Sequence, residues 1–186
     1  MDRTLDYPGL RILSVFFQDP YMEVHLRHAA AQARVSPSTA KRFLDEYTRL
    51  GLLTETARAN LHLFKANLDK ASFRLWKTSL FLLKNEPYLR QLAGRYSDSS
   101  LTLYGSCATG TDAPGSDLDL LLITRQTEDP TPRQLEELSR RTGRTVQLLK
   151  YTPEEWEKKA REDKPFYERV IIDGIAISGP LPVVVT

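Results

Sequence analysis

The sequence predicts an α+β chain of two modules, with three short helices and a small hairpin in front and a mixed-sheet α/β domain behind. Three observations predict it. Apolar residues recur at helical spacing through the front, then give way to two short strand-like runs. A long, apolar-rich helical stretch follows. Behind it, strand-type runs alternate with amphipathic helical ones, separated by turns containing Gly, Pro and Ser. The expected boundaries are residues 1–66, a linker of helices over 67–97, and 98–186.

The bulk numbers fit folded domains. Of 186 residues, 41% are hydrophobic and 27% charged, which is neither a disordered nor a membrane composition. Apolar runs such as Leu120–Ile123 fall far short of the roughly 20 residues a membrane helix needs. The first ten residues lack a basic start followed by an apolar run, so no secretion leader is expected. A single cysteine, Cys107, excludes an internal disulfide framework and suits a reducing cytoplasm. Net charge is +2, unevenly spread. Residues 1–85 carry a basic excess and residues 86–186 an acidic one, so the two halves face different partners. A basic front fits a phosphate backbone.

In front, residues 8–18 place Leu10, Ile12, Leu13, Val15, Phe16 and Phe17 on a wide apolar face, and Asp19-Pro20 ends that helix. Residues 23–33 form an alanine-rich second helix. Ser36 is an N-cap with Pro37 at the first helical position. A third helix to about Leu50 turns Phe43, Leu44, Tyr47 and Leu50 inward, and Gly51 stops it. Leu53–Ala57 and Leu61–Lys65 then read as strands around Arg58-Ala59-Asn60. This order resembles a winged helix-turn-helix, and RVSPSTAKRFLDEYTRLGLLTE resembles the recognition helix and wing entry of MarR- and ArsR-type regulators. The resemblance implies double-stranded DNA as a partner. Ser36, Ser38, Thr39, Lys41 and Arg42 would meet phosphates or base edges from the third helix, and Arg58 from the wing.

Residues 67–84 form a long helix, apolar on more than one side through Phe73, Leu75, Trp76, Leu80, Phe81, Leu82 and Leu83. Such a helix needs two packing partners, and a homodimer is one way to supply them. Asn85-Glu86-Pro87 is expected to break it and start a shorter helix to about Leu92.

The chemistry lies behind. Leu101–Tyr104 is a β-type run, followed by GSCATGTDAPGSDLDLLLIT. Alternate residues of a strand share a face, so Asp117 and Asp119 project together, about 7 Å apart. Two such carboxylates can hold a hard cation, and Mg²⁺ (or Mn²⁺) held this way takes its other ligands from water and nucleotide phosphates. Opposite, Gly105 lets the backbone approach a phosphate, and Ser106 at a helix start offers its hydroxyl and nearby N–H groups.

GSCATGTDAPGSDLDLLL resembles the G-S-x-A-x-G…S-D-x-D signature of the polymerase-beta nucleotidyltransferase superfamily, in particular its minimal nucleotidyltransferases. The whole chain resembles prokaryotic proteins that join a winged helix to such a domain. The likeness implies that Ser106 binds the phosphates of a nucleoside triphosphate, and that Asp117 and Asp119 bind metal and act in catalysis. Active members of the family place a third carboxylate on a later strand. Here Gln147, in RTVQLLK after the helix over 132–141, occupies that position. An amide ligates metal more weakly than a carboxylate and cannot act as a base. Asp112 and Glu154 are candidate substitutes from nearby loops.

Further on, Thr152, Pro153 and Glu155 form a capping box, a helix is expected over 165–173, and residues 176–179 form a last strand. Lys158, Lys159 and Lys164 read as a solvated face. His25, His28 and His62 lack the spacing of a zinc site, and Cys107 reads as a packing residue. Three functions follow: an enzyme transferring a nucleoside monophosphate to a hydroxyl of a protein or small molecule, with protein AMPylation one form; a transcriptional regulator that senses a nucleotide without chemistry; and an antitoxin or interaction module acting by contact.

Overall fold

The computed structural model describes residues 6–58 and 61–184. The chain divides into two compact units, residues 1–77 and 78–186.

In the first unit, α1 (Pro8–Gln18) buries Ile12, Leu13, Val15, Phe16 and Phe17. The second helix starts later than expected. Val24–His25 form a short strand, β1, and α2 runs over Leu26–Ala33. The His25 side chain caps α2 by accepting the His28 N–H at 3.3 Å. Pairing decides the difference, because Val24 lies opposite Phe64 in a sheet and both are buried. Ser36 caps α3 (Pro37–Arg49), accepting the Thr39 N–H at 3.1 Å.

Ala40, Phe43, Leu44 and Tyr47 face the core. Leu50 does not: it is 46% exposed. It caps α3, Gly51 follows at φ +71°, and this reversal hands the interior to Leu52 and Leu53. β2 (Leu53–Arg58) and β3 (Leu61–Ala66) pair antiparallel from Leu53↔Ala66 to Arg58↔Leu61. The order is β1-β3-β2. Of the predicted turn, Ala59 and Asn60 lie outside the described residues.

α4 (Ala71–Ala93) is one helix and runs through Pro87, so the expected break at residues 85–87 is absent. Proline removes one backbone donor, at a cost of about 3 kcal/mol. The carbonyl deprived of it belongs to Leu83, which is exposed and within reach of water. The turns beyond the proline bury Leu89, Leu92 and Ala93, which rewards continuation. The start is later than residue 67 because Asn67 closes a turn. Its side chain donates to the Gly51 carbonyl at 2.9 Å and accepts the Asp69 N–H at 3.2 Å.

The second unit is built on a four-stranded mixed sheet, in the order β6-β5-β4-β7. β4 (Ser100–Tyr104) is antiparallel to both β5 (Leu118–Ile123) and β7 (Ile175–Ser178), while β5 and β6 (Val146–Tyr151) are parallel. Leu118, Leu120 and Leu122 enter one core with Leu89 and Leu92 of α4 and Leu138 of α6 (Pro132–Thr142). Leu121 and Ile123 enter another with Trp156 of α7 (Pro153–Glu162) and Val170 of α8 (Lys164–Asp173). A strand covered on both faces reads as an unbroken apolar run, which explains LDLLLI and its single acid. Among the described residues no helix is long and apolar enough to cross a membrane.

Candidate nucleotide site

β4 ends at Tyr104, and the chain turns at once into the short helix α5 (Gly105–Thr109). Gly105 has φ +71°, in the region where an L side chain is strained. It is also the only residue type with room there: a Cβ would collide with the Asp119 carboxylate, its Cγ lying 3.1 Å away. The glycine thus forms the wall against which Asp119 rests. Gly105→Ala should cost about 1–2 kcal/mol of stability and push the carboxylate aside; a urea melt reads the first and nucleotide titration the second.

Register fixes what surrounds Asp119. It lies opposite Tyr104 on β4 and opposite Gln147 on β6. Laterally paired residues share a face, so Tyr104, Asp119 and Gln147 form one row across three strands. Asp117 sits just before β5, and its carbonyl receives the Cys107 thiol at 3.4 Å. Ser106, Asp117 and Asp119 are half-buried, and Gln147 is exposed.

The electrostatics are unbalanced. Among the described residues, neither Asp117 nor Asp119 has an ion pair within 4.0 Å, and no hydrogen bond reaches either carboxylate. Burial, and then the Asp117 charge, hold the Asp119 carboxyl above its usual range, while the Arg169 charge on α8 opposes them. Burial and the Asp119 charge push the Tyr104 phenol up to about 12, so it stays neutral. Two neighbouring carboxylates without an ion pair, one of them against the Gly105 backbone, are what a divalent cation would relieve.

Neither candidate substitute for the third carboxylate serves. Asp112 is buried and bonded to Arg144, which also donates to the Ala113 and Ser116 carbonyls at 3.3 and 3.0 Å. That pair pins the loop before Asp117. Glu154 bonds Arg125 at 2.6 Å, near the Tyr151 end of β6 and about 13 Å or more along the sheet from Gln147. No group of three His, Cys, Asp or Glu suited to a metal occurs among the described residues. Asp117 and Asp119, with the neutral Gln147 opposite Asp119 on β6, are the side chains this end of the sheet brings together.

Residues 86–177 match the family model of the nucleotidyltransferase domain. Gly105, Ser106, Asp117, Asp119 and Gln147 all fall inside the matched residues. No curated protein matches the chain. Solved structures resemble it, two of them as follows. One is a toxin–antitoxin complex with AMP-PNP, at 20% identity over 52% of this chain and 74% of that one, with a TM-score of 0.39. The other is the tri-AMPylated Shewanella oneidensis HEPN toxin in complex with MNT antitoxin, at 16% identity over 54% and 73%, with a TM-score of 0.37.

Arg169 was not legible as a site residue. It lies fifty positions after Asp119, on a helix that reads from sequence as a plain tail, and only folding α8 back over the sheet brings its charge to bear. The lysines behave as a solvated face, Lys158, Lys159 and Lys164 each pairing with an acid four residues on.

Elsewhere, the residues singled out for DNA lie on the first unit's surface. Ser36, Ser38, Lys41, Arg42 and Arg58 are exposed and Thr39 half-buried. Ser36 bonds the Ser38 and Thr39 hydroxyls at 2.9 and 2.8 Å. Lys41 pairs with Asp45 at 2.8 Å and Arg58 with Glu23 at 3.1 Å. Arg42 lies 4.7 Å above the Phe43 ring.

Proposed function

We propose that the nucleotidyltransferase domain binds a nucleoside triphosphate with one divalent cation and transfers its nucleotidyl group slowly. The observation that carries this is the neighbouring pair Asp117 and Asp119, without an ion pair and with Asp119 against Gly105, and an amide where a third carboxylate would stand. Asp117 and Asp119 would hold Mg²⁺ (or Mn²⁺). Bound there, that ion would neutralise phosphate charge and polarise the phosphoryl group under attack. The Ser106 hydroxyl and the α5 amides would hold phosphate oxygens, and Arg169 would meet charge from the α8 side. Gln147 can orient an attacking hydroxyl of a protein or small molecule but cannot take its proton.

Calorimetric titration of ATP, GTP, CTP and UTP with Mg²⁺ tests this reading. At least one should bind, Asp117→Asn should weaken that binding about tenfold or more, and pyrophosphate release should be slow but above the protein-free background. If no triphosphate binds, the reading is wrong.

We also read the first unit as a winged helix that contacts duplex DNA. Its element order, its β1-β3-β2 sheet and the polar N-terminal end of α3 support this. On this reading the chain is a nucleotide-responsive regulator, and the exposed Leu75 and Trp76 of α4 would face a second copy in a homodimer. Fluorescence anisotropy with random duplex should show binding that weakens as salt rises. Binding that ignores salt, or none at all, would end it.

A further inference from the structure

A second feature of the nucleotidyltransferase domain lies away from the aspartates. α4 and α6 both pack on the Leu118-Leu120-Leu122 face, the face opposite Asp119. Between them opens a cleft of about 490 Å³ lined by Tyr88, Arg95, Arg133, Glu137 and Arg141 among others. The lining thus holds three guanidinium groups and one carboxylate. Glu137 is shared between Arg140 and Arg141, bonding the latter at 2.8 Å. Arg95 and Arg133 form no ion pair among the described residues, although most basic side chains of this domain do. Arg133 also sits in the first turn of α6, which contains no acid, so a cation lies at the positive pole of the helix, an arrangement an anion would relieve.

The cleft's chemistry selects its occupant. Arg95, Arg133 and Arg141 are exposed, and long solvated arginines on an open trough do not enclose a small anion as a metabolite site does. A nucleic acid is a poor fit as well. Arg141 already lies over the Tyr88 ring at 5.5 Å, so a base would have to displace it in order to stack. A polypeptide meets both signs, with carboxylates for the guanidinium forks and backbone N–H groups for Glu137.

We propose that the cleft between α4 and α6 docks an acidic segment of a partner protein. This stands apart from the nucleotide reading, since it uses neither aspartate nor a triphosphate.

The test uses the full chain and a fluorescein-labelled decapeptide of alternating glutamate and aspartate, followed by anisotropy. The peptide should bind, its glutamine–asparagine counterpart should not, and the double variant Arg95→Gln, Arg133→Gln should weaken binding about tenfold, equivalent to 1.4 kcal/mol. Lys158→Gln with Lys164→Gln, on the far helices, should leave it unchanged. If the double variant fails to fold, the single exposed change Arg133→Glu reads the same loss. The proposal is overturned if the acidic peptide does not bind, if the far-helix variant loses as much, or if the Arg95/Arg133 variant instead loses only inorganic phosphate or duplex binding.

Discussion

Gln147→Glu should raise pyrophosphate release from Mg-NTP by roughly 10²-fold over the wild type, within the range that a positioned general base contributes. Gln147 stands opposite Asp119 in the parallel β5–β6 register, so its side chain leaves the sheet on the same face as the carboxylate that would hold the metal. Glutamate has the length and branching of glutamine, so the change replaces an amide by a carboxylate with little change of shape. The residue is exposed, which keeps the cost of the extra charge to the protein small without a ligand. A third acid would add a ligand and a proton acceptor together. The measurement is a continuous pyrophosphate assay with the nucleotide that binds best, with water or an added alcohol as acceptor. Unchanged release with triphosphate binding intact would remove Gln147 as the reason for slow transfer.

The legibility of this protein follows the range of its interactions. Gly105-Ser106 and Asp117-x-Asp119 were legible as a motif because each is a local run of letters at one turn and one strand start, although β5 begins only at Leu118 and leaves Asp117 just before it. The position of Gln147 could be read because it depends on a family pattern within a strand. Arg169 could not, since its place is set by how α8 folds back over the sheet. The same division holds in the first unit. Ser36 announces α3 through a cap three residues long, whereas β1 exists because Val24 meets Phe64 forty residues away. Pro87 misled because local propensity says stop, while the burial of Leu89, Leu92 and Ala93 says continue. Asp112 misled in the opposite way: as a letter near the site it is a candidate ligand, and only the fold shows it locked to Arg144.

Asp119→Asn should make the protein more stable alone and less stable with Mg-ATP. Burial and the Asp117 charge raise the Asp119 carboxyl above its usual value, so ionising it costs the folded state. That cost is present at pH values above the folded pKa. It fades as pH falls through that value and is gone below the unfolded one. Asparagine carries no charge to desolvate and no repulsion with Asp117. The variant should therefore melt higher near pH 7, by roughly 1–3 °C given solvent screening at a half-buried site, and this gain should vanish at acid pH. With Mg-ATP the order should reverse. A ligand at a hundred times its Kd stabilises the native state by about 2.7 kcal/mol, which the wild type gains. The variant, short of one of two carboxylates, gains far less. Differential scanning fluorimetry of both proteins, with and without Mg-ATP at neutral and acid pH, reads all eight conditions. Equal stabilisation of both by Mg-ATP would place the cation elsewhere, and a lower melting point for the variant alone would mean that Asp119 supports the fold rather than straining it.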